Sequence, residues 1–275
     1  MKALVVIPAR YGSTRLSAKV LLKETGKYLM QHTYDRVLKC SLVDRVIIAT
    51  DDKRVLKAGQ SFGAEVKLTS KYHTCGTERI AEVARYLPYR YIINVQADEP
   101  EIDPEAVDKI IKTLQLNRDI DIATLAVLLR RKDVPDPNKV KVLLDSKNNA
   151  LSFQRSISLY GISKYSHQDT KAQGILSVLV PSWQKCGINL NTVKGKYRYY
   201  RHLGIYGYKK DALLKFVKLP QTESEKELRL EQLRALENGF RIKVVVTKNA
   251  FYGIDTAGDY KTFVKRYKSE SVGHR

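Results

Sequence analysis

The chain has 275 residues, and its 49 lysines and arginines outnumber 29 aspartates and glutamates, which gives a formal net charge of +20. The 43% of hydrophobic residues supply a core for one large or two modest domains. No uncharged apolar stretch approaches the ~20 residues of a membrane span, and three cysteines are too few and too far apart for a disulfide framework. These features predict a cytoplasmic protein that does not associate with a membrane.

The positive charge is scattered along the whole chain instead of being gathered into a stripe or tail. Nucleic-acid-binding proteins usually concentrate their basic residues and place aromatic side chains among them. The densest run of this kind, residues 194–202, is interpreted as a solvated strand entry. The charge therefore favours small anionic substrates over nucleic acid as the partner.

Strand and helix patterns alternate in the first half of the chain. Continuous apolar runs are typical of strands that are buried on both faces. The predicted strands are 2–8, 45–51, 65–69, 90–96 and 121–128, and the predicted helices are 29–40, 52–63, 77–87 and one that begins at 104. This alternation predicts an α/β fold with a Rossmann-like, mostly parallel sheet flanked by helices. In such sheets, ligands bind at the carboxyl ends of the strands.

The second half of the chain is less regular. Its predicted strands are 141–145, 150–153, 202–208 and 241–247, and its predicted helices are 211–217, 223–239 and 257–267. Residues 156–200 have no clear periodicity and are interpreted as a long connection.

A basic loop, residues 8–19, follows the first predicted strand. It combines Gly12 with the three cations Arg10, Arg15 and Lys19, so backbone N–H groups and side chains together can surround phosphates. Its spacing fits neither the Walker A motif nor Gly-x-Gly-x-x-Gly. We interpret the loop as a phosphate site, and the alternative is an ordinary basic surface turn.

Carboxylates follow two other predicted strands. Asp98 lies in the run Asn-Val-Gln-Ala-Asp-Glu-Pro at 94–100, and Asp255 lies in Gly-Ile-Asp-Thr at 253–256. Either one alone is explained by the capping of a turn or helix. Two carboxylates at strand ends opposite a cationic loop instead predict a site for Mg²⁺ and a polyphosphate.

Together these motifs resemble the 3-deoxy-manno-octulosonate (Kdo) cytidylyltransferases, or CMP-Kdo synthetases, of the sugar-nucleotidyltransferase superfamily. The more specific blocks are Gly-Thr-Glu-Arg at 76–79, His-Leu-Gly-Ile-Tyr-Gly-Tyr at 202–208 and Leu-Glu-Gln-Leu-Arg at 230–234. The other matching blocks are 7–16, 48–51, 95–100, 140–142, 153–156 and 253–256. They occur in family order over most of residues 3–265.

The resemblance implies one nucleotidyltransferase domain over residues 1–275. Its nucleotide-binding half would be 1–130, and a smaller sugar-binding and dimer-forming part would be inserted at 131–240, with the long connection at 156–200. A returning strand and terminal helix would occupy 241–275. The family is cytoplasmic and usually dimeric, and it activates the sugar for lipopolysaccharide assembly, so a homodimer is expected.

The resemblance also implies a role for each matching residue. CTP would be bound by Pro8, Ala9, Arg10, Ser13, Arg15 and Lys19. Asp98 and Asp255 would hold Mg²⁺, and with Lys19 they are the expected catalytic residues. The acidic sugar would be bound by Arg79, Gln96, Arg155, His202, Tyr206, Glu231 and Gln232. Within this set, Arg155 is expected to bind the carboxylate of the sugar, because a guanidinium grips a carboxylate bidentately.

The chain departs from the family pattern in several places. Where the family usually has Pro-Gly-Lys-Pro-Leu, residues 17–21 are Ser-Ala-Lys-Val-Leu, and Ala97 and Gln154 replace the usual Gly and Ser. The implied reaction transfers CMP from CTP to the anomeric hydroxyl of Kdo and releases pyrophosphate. Two alternatives are a cytidylyltransferase for another acidic sugar, such as 8-amino-Kdo or sialic acid, and a basic nucleic-acid-binding protein on an α/β scaffold.

Overall fold

A sheet of nine strands forms the centre of the computed structural model, which describes residues 2–12, 15–156 and 198–272. The strands are β1 (Ala3–Pro8), β2 (Arg45–Thr50), β3 (Val66–Leu68), β4 (Tyr91–Asn94), β5 (Ile122–Leu128), β6 (Lys141–Leu144), β7 (Ala150–Gln154), β8 (Arg198–Lys209) and β9 (Ile242–Thr247). The α-helices are α1 (Leu29–Val37), α2 (Lys53–Ser61), α3 (Gly76–Arg85), α4 (Pro104–Leu116), α5 (Lys210–Phe216), α6 (Glu223–Leu228), α7 (Glu231–Glu237) and α8 (Ala257–Val272). Ser13 and most of the predicted connection at 156–200 lie outside the described residues.

Six of the seven strands along the main path of the sheet run in one direction. The order is β3-β2-β1-β4-β8-β5-β9, and only β8 is antiparallel to its neighbours, β4 and β5. The β6–β7 hairpin joins off this path, where β6 pairs with the first residues of β8. The prediction of an α/β fold with a mostly parallel sheet flanked by helices is therefore confirmed.

The apolar side chains of the sheet belong to two hydrophobic cores, one on each face of the sheet. In β1, Val5 and Ile7 belong to one core together with residues of α1, α2 and α4, whereas Leu4 and Val6 belong to the other, with residues of α3, α5 and α7. Because successive side chains of a strand point to opposite faces, a strand buried on both faces is a continuous apolar run. This packing leaves the strand ends as the place where polar groups gather.

The predicted helix at 223–239 is wrong in one respect, because it is two helices, α6 and α7. The break lies at Arg229, which has a φ of 53° in the left-handed region and so ends α6. Leu230 is buried there, and the ion pair between Glu225 and Arg234, at 3.1 Å, ties the two helices together across the corner. The apolar spacing continues through the corner, which is why the sequence pattern predicts one helix.

Strand β8 is longer than predicted. Its C-terminal part, residues 206–208, lies between β4 and β5, within the apolar pattern of 202–208. Its first residues pair with β6 instead, in the register Lys141 with Arg201. Charged residues can belong to this extension because main-chain hydrogen bonds, rather than side-chain hydrophobicity, hold it to the hairpin.

Candidate active site

Three charged side chains from separate segments meet at the carboxyl end of the sheet. Lys19 lies in a 3-10 turn after β1, Asp98 follows β4, and Asp255 follows β9. The Nζ of Lys19 donates to the Asp98 carboxylate and, over 2.9 Å, to the main-chain oxygen of Ile254, and it lies 3.3 Å from Oδ1 of Asp255. The three residues predicted to be catalytic are thus neighbours, and their catalytic role stays a prediction.

The turn that presents Lys19 has a strained backbone. Ala18 adopts the left-handed conformation with a φ of 50°, which costs a residue with a Cβ about 1–2 kcal/mol. Glycine adopts it freely, and the family pattern usually has glycine before this lysine. The N–H of Leu21 donates to the carbonyl of Ala18 over 2.8 Å, and the buried Val20 packs the turn onto the core. Packing therefore holds Lys19 in place despite the strain.

A third carboxyl group, Glu99, lies beside the pair of aspartates. It is buried, and its Oε2 has no hydrogen-bond partner among the described residues. Burial, together with the nearby charges of Asp98 and Asp255, raises the pKa of Glu99 well above its ordinary value. Burial therefore disfavours the charged form of Glu99, whereas Asp98 and Asp255 are paired with cationic side chains.

The outer side of the site is more exposed. Arg15 pairs with Oδ1 of Asp255 at 2.8 Å, and more than half of the Arg15 side chain is exposed. Exposed ion pairs of this kind contribute only ~0–1 kcal/mol to stability. Arg15 is therefore free to exchange this carboxylate for a phosphate at little cost to the fold.

The two aspartates fit a divalent cation. Both reach the same ammonium group of Lys19, so their oxygens converge on one position. Mg²⁺ prefers oxygen ligands and is commonly held by one or two carboxylates together with substrate phosphates and water. Among the described residues, no group of three or more His, Cys, Asp or Glu side chains is arranged to hold a metal ion.

A cavity of about 720 Å³ opens from these residues. Asp98, Glu99 and Asp255 lie at one end of its lining, which also includes Arg201 and His202 of β8. Its volume is within the range of pockets for small molecules. The strand ends of the sheet thus border a space that is large enough for a nucleotide or a sugar.

Comparison with known proteins identifies the family of this chain. A family model described as cytidylyltransferase matches residues 4–243. The 3-deoxy-manno-octulosonate cytidylyltransferase of Geotalea uraniireducens is 40% identical over 269 residues, which cover 98% of this chain and all of the relative. The chain belongs to the 3-deoxy-manno-octulosonate cytidylyltransferase family. The corresponding enzyme of Fusobacterium nucleatum is 37% identical over 99% of both chains, and the predicted family membership is confirmed.

Solved structures agree with the membership in this cytidylyltransferase family. A structure of CMP:2-keto-3-deoxy-manno-octonic acid synthetase complexed with CTP has a TM-score of 0.81 and 32% identity, and it covers 98% of this chain and 100% of its own. The inositol-1-phosphate CTP transferase of T. maritima, with a TM-score of 0.60 and 16% identity, shares the fold. Among the described residues, no helix is long and apolar enough to cross a membrane.

The predicted CTP-binding residues of this family member lie around the end of β1. Pro8 and Ala9 are buried, and the N–H of Ala9 donates to the carbonyl of Ala49 over 2.8 Å. Arg10 is exposed. The structure places these residues at the end of β1, and their binding role stays a prediction.

Two predicted sugar-binding residues, His202 and Tyr206, lie on β8. The Thr124 hydroxyl donates to the carbonyl of Ile205 over 2.6 Å, so Nε2 of His202 is the donor in its 2.9 Å bond to the same hydroxyl. Burial lowers the pKa of His202 to about 3 and raises the pKa of Tyr206 well above its ordinary value. With the Phe153 ring 5.1 Å away, this group is aromatic and uncharged.

The other two residues of this group lie at the start of α7. Glu231 accepts hydrogen bonds from Thr77 at 2.8 Å and Arg234 at 3.1 Å, and burial raises the pKa of Glu231. Gln232 is buried, and its Nε2 has no hydrogen-bond partner within the described part of the chain. Glu231 is therefore occupied by protein contacts, whereas Gln232 has a donor to offer.

Two further residues of the predicted sugar site lie near β2 and β4. Arg79 is buried and donates to Asp51 over 2.9 Å and to the hydroxyl of Thr69. Gln96 donates to Oδ1 of Asn94 over 3.3 Å. Arg79 is thus paired with other residues of the protein. Its predicted contact with the sugar stays a prediction.

Arg155, the residue expected to bind the sugar carboxylate, donates to three main-chain carbonyls. The acceptors are Leu228 at 2.6 Å, Pro137 at 3.1 Å and Arg229 at 3.1 Å. The guanidinium therefore fastens the corner between α6 and α7 to the loop before β6. Binding of a carboxylate by Arg155 stays a prediction, and it would require these contacts to be exchanged.

Sequence reasoning missed Glu99 and Arg201 as members of the site. Glu99 stands inside the matching block 95–100, beside Asp98, and Arg201 immediately precedes the block 202–208, beside His202. Alternation along a strand assigns neighbouring residues to opposite faces, so the sequence pattern alone does not bring Arg201 to the same cavity as His202.

Proposed function

We propose that the protein transfers CMP from CTP to the anomeric hydroxyl of Kdo and releases pyrophosphate, which provides the activated sugar for lipopolysaccharide assembly. The observation that carries this proposal is the convergence of Lys19, Asp98 and Asp255 in a chain of this family. Two carboxylates with a lysine and an arginine at the strand ends suit a nucleotide triphosphate with its cation.

In this proposal Asp98 and Asp255 hold Mg²⁺, which neutralises negative charge on the phosphates when it is bound. Lys19, Arg15 and Arg10 bind phosphate oxygens and orient the α-phosphorus for in-line attack. No covalent intermediate with the protein is required, because positioning and electrostatic stabilisation supply the acceleration in phosphoryl-transfer enzymes.

Four residues of β8 and α7, called the β8–α7 group, would receive the sugar. They are His202, Tyr206, Glu231 and Gln232. His202, Tyr206 and Gln232 are uncharged donors and acceptors set among aromatic rings, and such groups suit the hydroxyls of a sugar. Arg79, Gln96 and Glu231 would complete this pocket, and Arg155 would bind the carboxylate or hold the pocket in shape. We also propose that the enzyme is a cytoplasmic homodimer, with residues 1–130 as its nucleotide half and 131–240 as its sugar and dimer part.

Pyrophosphate release tests this function. The purified protein is incubated with MgCl₂, each of the four nucleoside triphosphates, and Kdo, 8-amino-Kdo or sialic acid, and pyrophosphate is measured. We expect release only with CTP and fastest with Kdo. Asp98→Asn serves as the inactive control, and faster release with 8-amino-Kdo or sialic acid would change the proposed sugar.

The nucleic-acid alternative is tested by a gel-shift titration with RNA and with duplex DNA. If the charge of +20 serves small anions, binding is weak and disappears at modest salt, because non-specific contacts to phosphates are lost as salt rises. Tight binding at physiological salt would instead support a nucleic-acid-binding role.

A further inference from the structure

A buried arginine, Arg201, touches the segment that carries Asp255. Only 6% of Arg201 is exposed, and its Nη2 donates to the main-chain oxygen of Phe251 over 3.3 Å. Its guanidinium also lies over the ring of Tyr252, 4.6 Å from the centroid. Arg201 thus contacts two successive residues at the start of the loop that leads to Asp255.

The partner of Arg201 on its other side is also buried. Asp133 is 1% exposed, lies 3.9 Å from Nη1 of Arg201 and accepts a 2.7 Å hydrogen bond from Lys139. The charges of Lys139 and Arg201 keep the pKa of Asp133 below its ordinary value despite its burial. Since removing charges from water is costly, a buried pair of this kind is often no more stable than apolar residues of the same size. The arrangement therefore calls for an explanation other than stability.

The loop between Phe251 and Asp255 is fixed at only a few points. The N–H of Ile254 donates to the carbonyl of Asp98 over 2.8 Å, and the carbonyl of Ile254 accepts from Lys19 over 2.9 Å. Between Phe251 and Ile254 lie Tyr252 and the exposed Gly253, and glycine is the most conformationally free residue. The contacts of Arg201 with the Phe251 carbonyl and the Tyr252 ring thus hold the near end of this loop, and the two bonds of Ile254 hold its far end.

We propose that Arg201 is a positioning residue for the cation site, which holds the Phe251–Asp255 loop so that Asp255 stays opposite Asp98. The Phe251 carbonyl and the Tyr252 ring are the contacts through which it acts, and Asp133 orients the guanidinium. This inference rests on the proposed role of Asp98 and Asp255 as cation ligands. Groups behind the ligands of a metal commonly change metal affinity by about 10–100-fold.

The test measures cation binding directly. Mn²⁺ is titrated into the full-length protein with CTP, and the free ion is followed by electron paramagnetic resonance. We expect Arg201→Met to raise the apparent Kd for Mn²⁺ by about 10-fold, with CTP affinity in EDTA unchanged, and Arg201→Lys to restore part of the loss. Arg45→Met is the matched control, because Arg45 makes a bidentate pair with Glu65 at the opposite edge of the sheet.

The outcomes separate the inference from the function on which it rests. If Asp255→Asn abolishes Mn²⁺ binding and a folded Arg201→Met keeps the wild-type Kd within twofold, Arg201 does not position the site and the proposed function stands. If Asp98→Asn and Asp255→Asn both bind Mn²⁺ normally, the proposed cation site itself is wrong. If Arg201→Met has a Tm close to that of the wild type and still weakens CTP binding in EDTA, Arg201 contacts the substrate and the positioning role is overturned.

The following controls distinguish a loss of folding from a loss of positioning. Arg201→Met leaves Asp133 with Lys139 as its remaining partner, and the double variant Asp133→Asn/Arg201→Met removes both buried charges. Thermal unfolding compares their stability with that of Arg45→Met. A general loss of structure would lower the apparent affinity for CTP and for Mn²⁺ together, whereas the positioning role predicts a change for Mn²⁺ alone in every variant that lacks Arg201.

Discussion

The strand-end cluster of Lys19, Asp98 and Asp255 and the β8–α7 group of His202, Tyr206, Glu231 and Gln232 are built in opposite ways. In the first, ions of opposite charge contact one another, and the exposed fraction of the side chain rises from 13% for Lys19 and 23% for Asp98 to 45% for Asp255. In the second, burial keeps His202 and Tyr206 uncharged, and hydrogen bonds or rings surround them. The first region holds ions that can exchange their partners, and the second holds buried groups whose partners belong to the protein.

This difference indicates which substitutions should change turnover without changing stability. A charged side chain whose partner is another exposed charge contributes little to stability, so its removal affects chiefly a charged ligand. A buried polar group that loses its partner costs about 1–3 kcal/mol. Substitutions in the strand-end cluster should therefore change turnover, whereas substitutions in the β8–α7 group should change turnover and stability together.

The largest effect is expected for Asp98→Asn and Asp255→Asn. Stabilisation of transition-state charge by a metal is worth several kcal/mol, and each ~1.4 kcal/mol is tenfold in rate. Turnover should fall about 10²–10⁴-fold, whereas the Tm should stay near that of the wild type. Steady-state pyrophosphate release and thermal unfolding measure the two, with Asp119→Asn, remote and exposed beside Arg241, as control. Near-normal Mg²⁺-dependent activity in either folded variant would remove that residue as a ligand.

Arg155→Lys tests whether Arg155 affects the sugar site, the stability of the fold, or both. One ammonium cannot replace three hydrogen bonds to the carbonyls of residues 137, 228 and 229, so stability should fall by roughly 2 kcal/mol. The apparent KM for the sugar should rise more than that for CTP, because the corner held by Arg155 leads directly to Glu231. Lys19→Ala should do the reverse.

Steady-state kinetics and denaturant unfolding give both quantities for Arg155→Lys. A higher KM for the sugar with unchanged stability would show direct contact with the carboxylate. Equal changes of KM for both substrates would show that the sugar pocket has been placed wrongly.

A buried histidine that packs against α8 makes the stability of the protein depend on pH. His32 lies against Phe263 and Tyr267 of α8, the helix that follows Asp255, and burial, with the Lys27 charge, lowers the pKa of His32 to about 4. The unfolded chain takes up this proton near pH 6.5, so stability is fully present above pH 6.5 and is lost as the pH falls towards 4. The loss attributable to His32 is roughly 3 kcal/mol.

His32→Gln should therefore flatten the dependence of unfolding free energy on pH between 6.5 and 4. Urea titrations of the wild type and variant at several pH values measure this dependence. Identical slopes would show that folding does not lower the pKa of His32.

The smallest effect is expected for Ala18→Gly. Because Ala18 has a φ of 50°, glycine should remove the strain and stabilise the protein by about 1 kcal/mol. Asn148→Gly is the matched control, since Asn148 has a φ of 60° but asparagine tolerates this region. A Tm that rises for Ala18→Gly and hardly changes for Asn148→Gly is the expected result. Equal shifts would mean that Ala18 is not strained.

The sequence predicted the fold and the strand-end cluster for a simple reason. Strands buried on both faces are continuous apolar runs, as in β1, and their ends place Lys19, Asp98 and Asp255 at one edge of the sheet. The buried polar partners could not be predicted, because the acceptors are main-chain carbonyls. Neither the contacts of Arg155 nor that of Arg201 with Phe251 leaves a residue pattern in the chain.

The position of β8 has a consequence for the order in which the protein is made. Its two neighbours, β4 and β5, end at residues 94 and 128, but β8 begins only at residue 198. A ribosome therefore releases β4 with one open edge, and roughly a hundred more residues are synthesised before that edge is covered. Asp255, further still along the chain, reaches Asp98 last. The sheet can begin to form during synthesis, but the proposed cation site can form only after Asp255 has left the ribosome.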